Sequence, residues 1–351
     1  MGLPEVIINF NSKASNVIER SGRGIVALVI QDSTKQIESA AYKGLEEVNK
    51  EDYTAENYDY ISMIFNGAPN KVIVERASEA SDYTEVLQRL KSKRFNYLTI
   101  PKIVEGQAEA IVSWIRNCRK NDKKTFKAVL PNVAADYEGV INFSTDKVKV
   151  GSKVYSTSEY CPRIAGILAG LSLSRSATYL VLSEVEAIEE SENPNDAIDE
   201  GKLILISDGE KIKIARGVNS LVTLTDDKGE DFKKIKIVEA MDLVKDDIRE
   251  TFEDSYVGQV INDYDNKSLF LAAINAYFKE LEGDNILDSN SENKADINVS
   301  AQKKYLIEKQ VDVTNLNDQQ IKEYNTGSKV FVTSSVKFVD AMEDLYFDIN
   351  M

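Results

Sequence analysis

Three short patterns in the sequence have residue types that could form ligand-binding loops. Residues 22–27 (GRGIVA) match the G-x-G-x-x-A spacing of a dinucleotide turn, but such a turn follows a strand and opens a helix, whereas this one precedes an apolar run. The pair Gly201-Lys202 is not followed by the Ser or Thr with which a P-loop binds magnesium. Asp263 and Asp265 lack the glycine and the final glutamate of a calcium loop. None of the three patterns predicts a nucleotide or metal site.

Candidates for nucleophilic or metal chemistry are few. The chain has two cysteines, Cys118 and Cys161, and no histidine, so a Cys161 nucleophile would lack its usual base and the commonest metal ligand is missing. Two cysteines are too few for a Cys-rich zinc site or a disulfide framework, which favours synthesis in a reducing cytoplasm. Carboxylate pairs for glycoside hydrolysis stay open, because Asp and Glu are abundant, although none stands in a recognisable context. We predict no catalytic residue, no cofactor and no metal.

The overall charge is acidic, with 43 basic against 58 acidic side chains and a formal net charge of −15, so the chain repels nucleic-acid phosphates unless it has a basic groove. The densest basic stretch, residues 116–127, does not alternate with aromatic residues and is interpreted as the solvated end of a helix. Residues 184–200 contain eight acidic side chains and no Lys or Arg, which favours a solvated loop over a metal or partner site. Neither a long apolar run nor a secretory signal is present, so we expect no nucleic-acid partner and no membrane insertion.

The elements that would position these side chains alternate between strands and helices over residues 25–131. The apolar run IVALVI predicts a buried strand at residues 25–30, and further strands are predicted at residues 37–42, 72–75, 97–100 and 126–130. Helices are predicted at residues 55–65, 82–91 (with Asp82 as N-cap) and 105–119, the last with Ile111, Trp114, Ile115 and Cys118 on one face. This alternation is typical of βαβ units and a mainly parallel sheet.

From residue 139 the pattern is mixed. Strands are predicted at residues 140–143 and 148–155, and Asp208-Gly209 between two apolar runs predicts a hairpin. A second turn, at residues 226–229, is predicted to join residues 221–225 with residues 232–237. Residues 162–173 are rich in small and apolar side chains, and the spacing of Gly166 and Gly170 predicts close packing against a neighbouring element.

The C-terminal third is predicted to contain two amphipathic helices, a loop and two strands. Apolar residues spaced by three and four define one helix from Ile237 to Phe252 and another from Phe270 to Leu281, which Gly283 closes. Residues 284–296 are polar and predict a surface loop. Strands are predicted at residues 330–338 and 345–349.

Four stretches of the chain form a recognisable series. They are Gly2-Leu3-Pro4 before the first strand, residues 162–173 with the form P-x-x-A-G-x-x-A-G, residues 201–223 (GKLILISDGEKIKIARGVNSLVT), and residues 236–283. In this order they resemble the tail-sheath proteins of contractile phages, most closely the short form found in defective prophages and phage-tail-like bacteriocins of Gram-positive bacteria. Ser220 stands where the family usually has Thr. The resemblance covers nearly the whole chain, and no stretch in it is a catalytic signature.

The resemblance implies a fold of mixed class, α/β and α+β, with a strand-exchange arm at each end. The implied parts are an arm at residues 1–20, a small and mostly β domain at residues 21–90, a central α/β domain with a mainly parallel sheet at residues 91–235, a C-terminal α+β domain at residues 236–342, and an arm at residues 343–351. In the family, each arm adds a strand to a sheet of a neighbouring subunit. By this correspondence the arms contain Val6, Ile8, Phe10, Leu345, Phe347 and Ile349, and the accepting strand contains Val330, Val332, Val336 and Phe338.

The resemblance also implies a structural protein and not an enzyme. Its subunits would polymerise as stacked rings around an inner tube and contract to drive the tube through a target cell envelope. The implied partners are other copies of the chain, the inner tail-tube protein, and the baseplate and tail-terminator proteins. Synthesis would take place in the bacterial cytoplasm, and assembly in a virion tail or a released extracellular particle. Without histidine, we expect little pH dependence of triggering between about pH 6 and 8.

Three other interpretations stay open. The chain could be the sheath of a type VI-like or extracellular injection system, which changes the context and not the chemistry. It could be an α/β enzyme that uses acidic residues, with its sheet in residues 55–130, although the absence of histidine and of phosphate loops weakens this reading. It could be a monomeric binding module, but apolar segments at both termini argue against that, because free strand edges invite pairing.

Overall fold

The apolar run at residues 25–30 forms an interior strand of the main sheet in the computed structural model, which describes residues 18, 22–77 and 83–351. This strand, β1 (Ile25–Ile30), is buried along its whole length. Its even-numbered side chains enter one apolar core and its odd-numbered side chains enter a second. A strand that is apolar on both sides needs cover on both faces of its sheet, and helices provide it here.

The described chain divides into two units. The first contains Gly22–Asp242 together with Asp340–Met351, and the second contains Leu243–Val339. After β1, the elements of the first unit are β2 (Ser39–Tyr42), α1 (Ala55–Phe65), β3 (Lys71–Arg76), α2 (Thr84–Lys91), β4 (Tyr97–Thr99), α3 (Glu105–Lys120), β5 (Lys127–Pro131), β6 (Val140–Phe143), β7 (Asp146–Val150), β8 (Lys153–Tyr155), α4 (Thr157–Gly170), β9 (Ala187–Glu189), α5 (Pro194–Asp199), β10 (Lys202–Leu203), β11 (Leu205–Ser207) and β12 (Ile212–Ile214). The boundary between the units falls within α6 (Ile235–Ser255).

The main sheet has seven strands in the order β10-β6-β5-β4-β1-β3-β2. Neighbouring strands are parallel except for β2 and β3, which are antiparallel at one edge. From β1 the chain adds β3 on one side and β4 on the other, as in a doubly wound fold. The predicted mainly parallel sheet is confirmed. Strands on both sides of residue 90 belong to this one sheet, so the first unit contains both the predicted small N-terminal domain and the predicted central domain.

Helices cover the sheet because each presents an apolar stripe. Side chains of α1 and α4 contribute to one core, and side chains of α2 and α3 contribute to the other. On α3, Ile111, Ile115 and Cys118 are fully buried, as their spacing predicts. Trp114 lies half-buried beside them, with its ring centroid 5.9 Å from that of Phe126.

The glycines of α4 allow this helix to touch α1 at the backbone. A Cβ atom added to Gly166 would overlap the carbonyl oxygen of Ile64, and one added to Gly170 would overlap the carbonyl oxygen of Gly67. The close packing predicted for residues 162–173 is therefore confirmed, with α1 as the neighbour. The helix begins five residues before Pro162, where Glu159 accepts a hydrogen bond from the backbone N–H of Ser156 at 2.9 Å.

The second unit combines the end of α6 with three further helices and a small sheet. Its other elements are α7 (Tyr264–Gly283), β13 (Lys294–Ile297), α8 (Val299–Glu308), α9 (Asp318–Glu323) and β14 (Val332–Ser335). The strands β13 and β14 pair antiparallel, with Ile297 opposite Val332. Where α6 ends, the rings of Phe252, Tyr256 and Phe270 pack together at centroid distances of 4.7 to 5.9 Å.

Several predictions for the first unit are wrong in detail. Residues 148–155 are not one strand but the β7–β8 hairpin, because Gly151 adopts a positive φ of 59° and turns the chain. Residues 184–200 are not only a loop, since β9 and α5 lie within them. Residues 232–237 form no strand. A 3₁₀ turn at Glu230–Lys233 leads there directly into α6.

Other differences concern the C-terminal part and α2. Residues 345–349 form no strand in the single chain, because a strand needs a partner for its backbone groups. Gly283 is the last residue of α7 and does not follow it, while Asn285 takes the positive φ of 56°. The helices α8 and α9 were not predicted. Tyr83 precedes α2, and the proposed N-cap Asp82 lies outside the described residues.

The contact between α4 and α1 predicts a large effect of one methyl group. We expect Gly166→Ala to lower the free energy of unfolding by about 2 kcal/mol or more, because the backbone of α1 must move away. The matched control is Gly106→Ala in α3, where an added Cβ meets nothing within 4 Å and helix propensity favours alanine by roughly 0.5–1 kcal/mol. Urea denaturation measures both. If Gly166→Ala were as stable as the control, the close approach would be contradicted.

Candidate assembly surfaces

Acidic side chains fasten the start of the C-terminal tail, residues 340–351, to the first unit. The bonds join Glu343 to the hydroxyl groups of Ser176 (2.7 Å) and Thr178 (2.6 Å), Asp344 to Arg216 (2.5 Å), and Asp340 to Lys234. The hydrogen bond from Arg216 lowers the pKa of the Asp344 carboxyl group, so this pair stays charged at neutral pH. Residues 340–344 are thereby held in place.

The rest of the tail has the alternation of a half-buried strand but no partner. Leu345, Phe347, Ile349 and Met351 would share one face of an extended strand, and their exposed fractions are 88%, 74%, 71% and 117%. Polar residues occupy two of the three positions between them. Four neighbouring apolar side chains in water are unfavourable, so this face is suited to burial against another surface.

The small sheet of the second unit has one blocked edge and one open edge. On the outer side of β13, the side chain of Asn275 accepts a hydrogen bond from the backbone N–H of Ala295 at 2.7 Å and donates to its carbonyl oxygen at 3.1 Å. The outer edge of β14 pairs with no strand in the part of the chain that the structure describes. A strand could therefore join this sheet beside β14.

The candidate accepting residues lie along this open edge, although β14 is shorter than predicted. Val332 begins β14, whereas Val330 precedes it and Val336 follows it. Phe338 forms an isolated antiparallel bridge with Leu287. The predicted N-terminal arm residues Val6, Ile8 and Phe10 lie outside the described residues.

A buried group of charges holds the first turns of α6 on the main sheet. Asp242 of α6 binds Arg119 of α3 through both carboxylate oxygens, at 2.8 and 2.9 Å. The same carboxylate lies 2.8 Å from Nζ of Lys127 in β5. Asp242 and Lys127 are almost completely buried. The prediction of a solvated helix end for residues 116–127 is wrong for Arg119 and Lys127.

Glu239 is the second carboxylate of this charge cluster. It binds Arg23, accepts a hydrogen bond from the Tyr97 hydroxyl group at 2.5 Å, and lies 3.0 Å from Nζ of Lys127. The cluster of Arg23, Tyr97, Arg119, Lys127, Glu239 and Asp242 therefore contains three cations and two anions. Roles for Arg23, Glu239 and Asp242 were not predicted. The signal in the sequence for Glu239 and Asp242 is the mostly apolar composition of residues 235–243, because a carboxylate buried among apolar side chains must be paired.

Burial controls the protonation of this charge cluster. It lowers the pKa of Lys127 to about 8, and the nearby Asp242 only partly opposes this effect. The cations Lys127 and Arg119 in turn hold the pKa of Asp242 well below its usual value, despite its burial. Lys127 thus has a pKa close to the physiological range although the chain contains no histidine.

The motifs that could have carried chemistry have structural roles instead. Residues 22–24 lead directly into β1, which contains residues 25–27, and Asp263 caps α7 by accepting a hydrogen bond from the backbone N–H of Asn266 at 2.8 Å. Cys118 and Cys161 are both buried, and burial raises the pKa of the Cys118 thiol to about 11. Across residues 22–77 and 83–351, no cluster of three or more Cys, Asp or Glu side chains could hold a metal ion. None of the helices in these ranges has both the length and the apolar character needed to span a bilayer.

Two family models and one relative with full-length similarity indicate the same family. Residues 76–220 match the phage tail sheath protein central domain, and residues 227–351 match the phage tail sheath C-terminal domain. The chain is 38% identical to the tail sheath protein of Clostridium phage phiCD119 over 100% of this chain and 99% of that protein. It is 25% identical to the phage-like element PBSX protein XkdK of Bacillus subtilis over 50% of this chain and 39% of that protein.

Solved structures share the fold. The sheath tail protein Lin1278 from Listeria innocua has a TM-score of 0.71 at 15% identity, over 93% of this chain and 97% of that chain. The helical sheath of the anti-feeding prophage in its contracted state has a TM-score of 0.70 at 13% identity, over 100% of this chain and 99% of that chain.

The charge cluster predicts a large loss of stability when one carboxylate is neutralised. In Asp242→Asn, Arg119 and Lys127 would stay buried beside a neutral amide, so we expect the free energy of unfolding to fall by about 3–5 kcal/mol. Glu189→Gln breaks the exposed pair with Lys147 and should cause no measurable change. Urea denaturation at pH 7 compares the two variants. Equal stability of both would show that the cluster does not hold α6.

Lys127 also predicts a pH dependence of stability. Its pKa is about 8 in the folded protein and 10.5 when unperturbed, so between these values the unfolded chain holds more protons than the folded one. Its contribution to the free energy of unfolding therefore rises with pH in this window. We expect wild type to gain stability relative to Lys127→Met as the pH is raised from about 7.5 to 9.5. A stability difference that stays constant or falls, measured by urea denaturation, would contradict the lowered pKa.

Proposed function

The chain belongs to the phage tail sheath protein family and is a structural subunit of a contractile sheath, and we propose that it forms stacked rings around an inner tube, joined by exchanged terminal strands. The observation that carries the proposal is the exposed apolar face of residues 345–351, together with the open edge of β14. A strand added to an open edge gains main-chain hydrogen bonds, and its alternate side chains set the register.

The two surfaces fit one another in length and chemistry. Seven residues in extended form span roughly 23–25 Å, which is more than the four-residue strand β14 requires. The inner face of the added strand would be Leu345, Phe347 and Ile349, and burying each of these side chains contributes about 1.5–3 kcal/mol. The accepting positions Val330, Val332, Val336 and Phe338 are half-buried, so they offer apolar area beside the open edge. We also propose that Val6, Ile8 and Phe10, which alternate along the sequence, belong to an N-terminal arm.

The fixed start of the tail suits a sheath that changes shape without dissociating. Bonds to Asp340, Glu343 and Asp344 hold its base on the first unit, while the residues that follow are exposed. Rings could then rotate and widen while each exchanged strand stays paired. The free energy for contraction would be stored at assembly and released as new contacts form, so no hydrolysis or cofactor is required.

The remaining partners follow from this role. A sheath surrounds an inner tail-tube protein, starts at a baseplate and ends at a terminator protein, and we propose all three as partners. The solved structure of the anti-feeding prophage baseplate contains a chain of similar fold, with a TM-score of 0.68. We further propose synthesis in the bacterial cytoplasm, assembly into a phage tail or a released phage-tail-like particle, and no catalytic activity.

The exchange predicts that one face of the tail is required for assembly and the other is not. We expect the double variant Phe347→Ser with Ile349→Ser to reduce the number of sheaths at least tenfold, because a strand with a polar inner face loses most of its buried area. The control double variant, Tyr346→Ser with Asn350→Ser, changes the opposite face and should assemble like wild type. Negative-stain microscopy after co-expression with the tube protein counts the hollow striated cylinders.

Because these four side chains are in the exposed tail, neither double variant should shift the melting temperature of the unassembled chain. Sheaths of normal number and length from the first variant would rule out exchange through this face.

A further inference from the structure

The second unit has a cavity of about 450 Å³ beside the loop that leads into β14. Its walls include the packed rings of Phe252, Tyr256 and Phe270. Val257 and Ile261 lie at the same site with exposed fractions of 56% and 77%. The cavity is therefore mainly apolar and aromatic, and its volume lies within the range of protein binding pockets.

A buried cation also lines this cavity. Lys267 of α7 is only 4% exposed. Among the residues that the structure describes, its ammonium group makes one long hydrogen bond, 3.4 Å to the carbonyl oxygen of Tyr324, although it has three hydrogens to donate. Burial lowers the pKa of Lys267, and the charge of Asp263 partly opposes this effect. The ammonium group would therefore be stabilised by a further partner that enters the cavity.

Asn262 adds a hydrogen-bond acceptor to the same wall. Its amide nitrogen donates to the carbonyl oxygens of Gly327 at 2.6 Å and Lys329 at 3.0 Å, which fixes the side chain on the loop before β14. Its Oδ1 atom is buried and accepts no hydrogen bond within the described ranges. A buried acceptor without a donor is costly, so the backbone N–H of an added strand would stabilise it.

We propose that this cavity binds the ring of Phe347 from a second copy of the chain, with the ring among the aromatic side chains of the wall and its face toward the ammonium group of Lys267. The proposal rests on the strand exchange proposed above and adds the pair of residues that recognises the incoming strand. A backbone N–H of that strand would donate to Oδ1 of Asn262.

The cavity lies where an added strand would pass. Val330 lines the cavity and Val332 begins β14, so in an extended segment these two side chains share one face. In an antiparallel pair, a side chain opposite Val332 has Val330 as its diagonal neighbour, and aromatic side chains are long enough to reach such a neighbour. Phe347 is the central residue between Leu345 and Ile349 on the apolar tail face, so a strand centred near the start of β14 brings its ring to the cavity.

An aromatic ring suits this site better than an aliphatic side chain. The electron-rich face of a ring attracts an ammonium group, and this attraction is strongest where water is excluded. Phe347 is the one aromatic residue among Leu345, Phe347 and Ile349, and it is 74% exposed in the single chain. The acidic Asp348 alternates onto the opposite face of an extended strand, so the apolar face offers Lys267 a ring and not an anion.

The test compares two peptides of residues 343–351 on the unassembled chain. Each has a fluorescent label on its N-terminus and an amide on its C-terminus, so the peptides differ in one side chain only. One has Phe347, and the other has cyclohexylalanine there, which keeps the apolar bulk and removes the aromatic face. Fluorescence anisotropy measures binding, and we expect cyclohexylalanine to weaken it about tenfold. Equal affinities would overturn the proposal.

Tyr346 provides the matched control within the peptide. It follows Leu345 and precedes Phe347, so it alternates onto the opposite face of an extended strand. Cyclohexylalanine in place of Tyr346 should change the affinity by less than about twofold, because that face does not enter the cavity. An equally large loss at both positions would overturn the proposal.

A lysine variant tests whether the cation recognises the ring. Lys267→Met keeps a long side chain in the buried position, and the preference for Phe347 over cyclohexylalanine should fall to about threefold or less, because only contacts between rings remain. The control is Lys279→Met on the same helix, where the lysine is 67% exposed and pairs with Glu282, and its preference should equal that of wild type. A smaller fall in Lys267→Met would overturn the proposal. A thermal melt verifies that both variants are folded.

A third measurement uses assembled sheaths and leaves the cavity unchanged. A chain with a photoreactive phenylalanine analogue at position 347 is co-assembled with the tube protein and illuminated. We expect crosslinked dimers on a denaturing gel, and mass spectrometry should locate the new bond within residues 252–270 or 327–330 of the second copy. Crosslinks confined to other residues would overturn the proposal, and this result decides the matter even where the peptides bind too weakly to measure.

Failure of this proposal is distinguishable from failure of strand exchange. Equal affinities of the two peptides, with sheath assembly that still depends on Phe347 and Ile349, would leave the exchange intact and remove only the role of the cavity. Sheaths that form without the apolar tail face, with crosslinks away from the second unit, would remove both.

Discussion

The backbone groups at the edge of a β-sheet must be paired, blocked or left to water, and this requirement distinguishes the two units. The first unit has a seven-stranded sheet with helices on both faces, and such a sheet has enough buried area to be stable alone. The sheet of the second unit has two strands, which are marginal in isolation. The amide of Asn275 satisfies one edge and leaves the edge of β14 open. A strand from a neighbouring copy would complete this sheet, so assembly and local stability would depend on the same hydrogen bonds.

The charge cluster at the start of α6 illustrates a different use of burial. Well-packed apolar side chains at these positions would give similar or greater stability, since buried ion pairs barely repay the loss of hydration. The cluster adds geometric definition: Glu239 and Asp242 bind partners from α3, β4, β5 and the segment before β1. A rotation or a one-residue shift of α6 would leave charges buried without partners. The buried pairs therefore favour one arrangement of the first turns of α6 on the sheet.

The pattern of apolar residues predicted the strands and helices whose formation depends on their own sequence. β1 is a continuous apolar run, and α1 and α3 have the spacing of amphipathic helices, so their bounds agree with the structure to within one residue. The pattern failed where a residue far away in the chain determines whether a side chain is buried or a strand is paired. Arg119 and Lys127 read as surface charges because their carboxylate partners are more than 100 residues away in the chain. Residues 345–349 have the alternation of a strand but lack a partner in the single chain. The arms and the sheath role came from resemblance to a family and not from these patterns.

The bonds that hold Asp340, Glu343 and Asp344 on the first unit would help a proposed exchanged strand to stay bound while rings move. A strand with only three or four inward apolar side chains would bind a free partner weakly, because association also costs translational and rotational freedom. If residues 340–344 are fixed to one subunit and the strand binds to the next, as proposed, each contact would raise the effective concentration of the others around the ring. The exposed length between anchor and strand sets how far neighbouring subunits can move apart before the strand is pulled from its sheet. Because Asp344 is the last residue bound to Arg216 and Leu345 already belongs to the apolar face, this length is close to zero. In the proposed exchange, motion between subunits would then come from rotation of the anchored units about the tail, and not from extension of a slack linker.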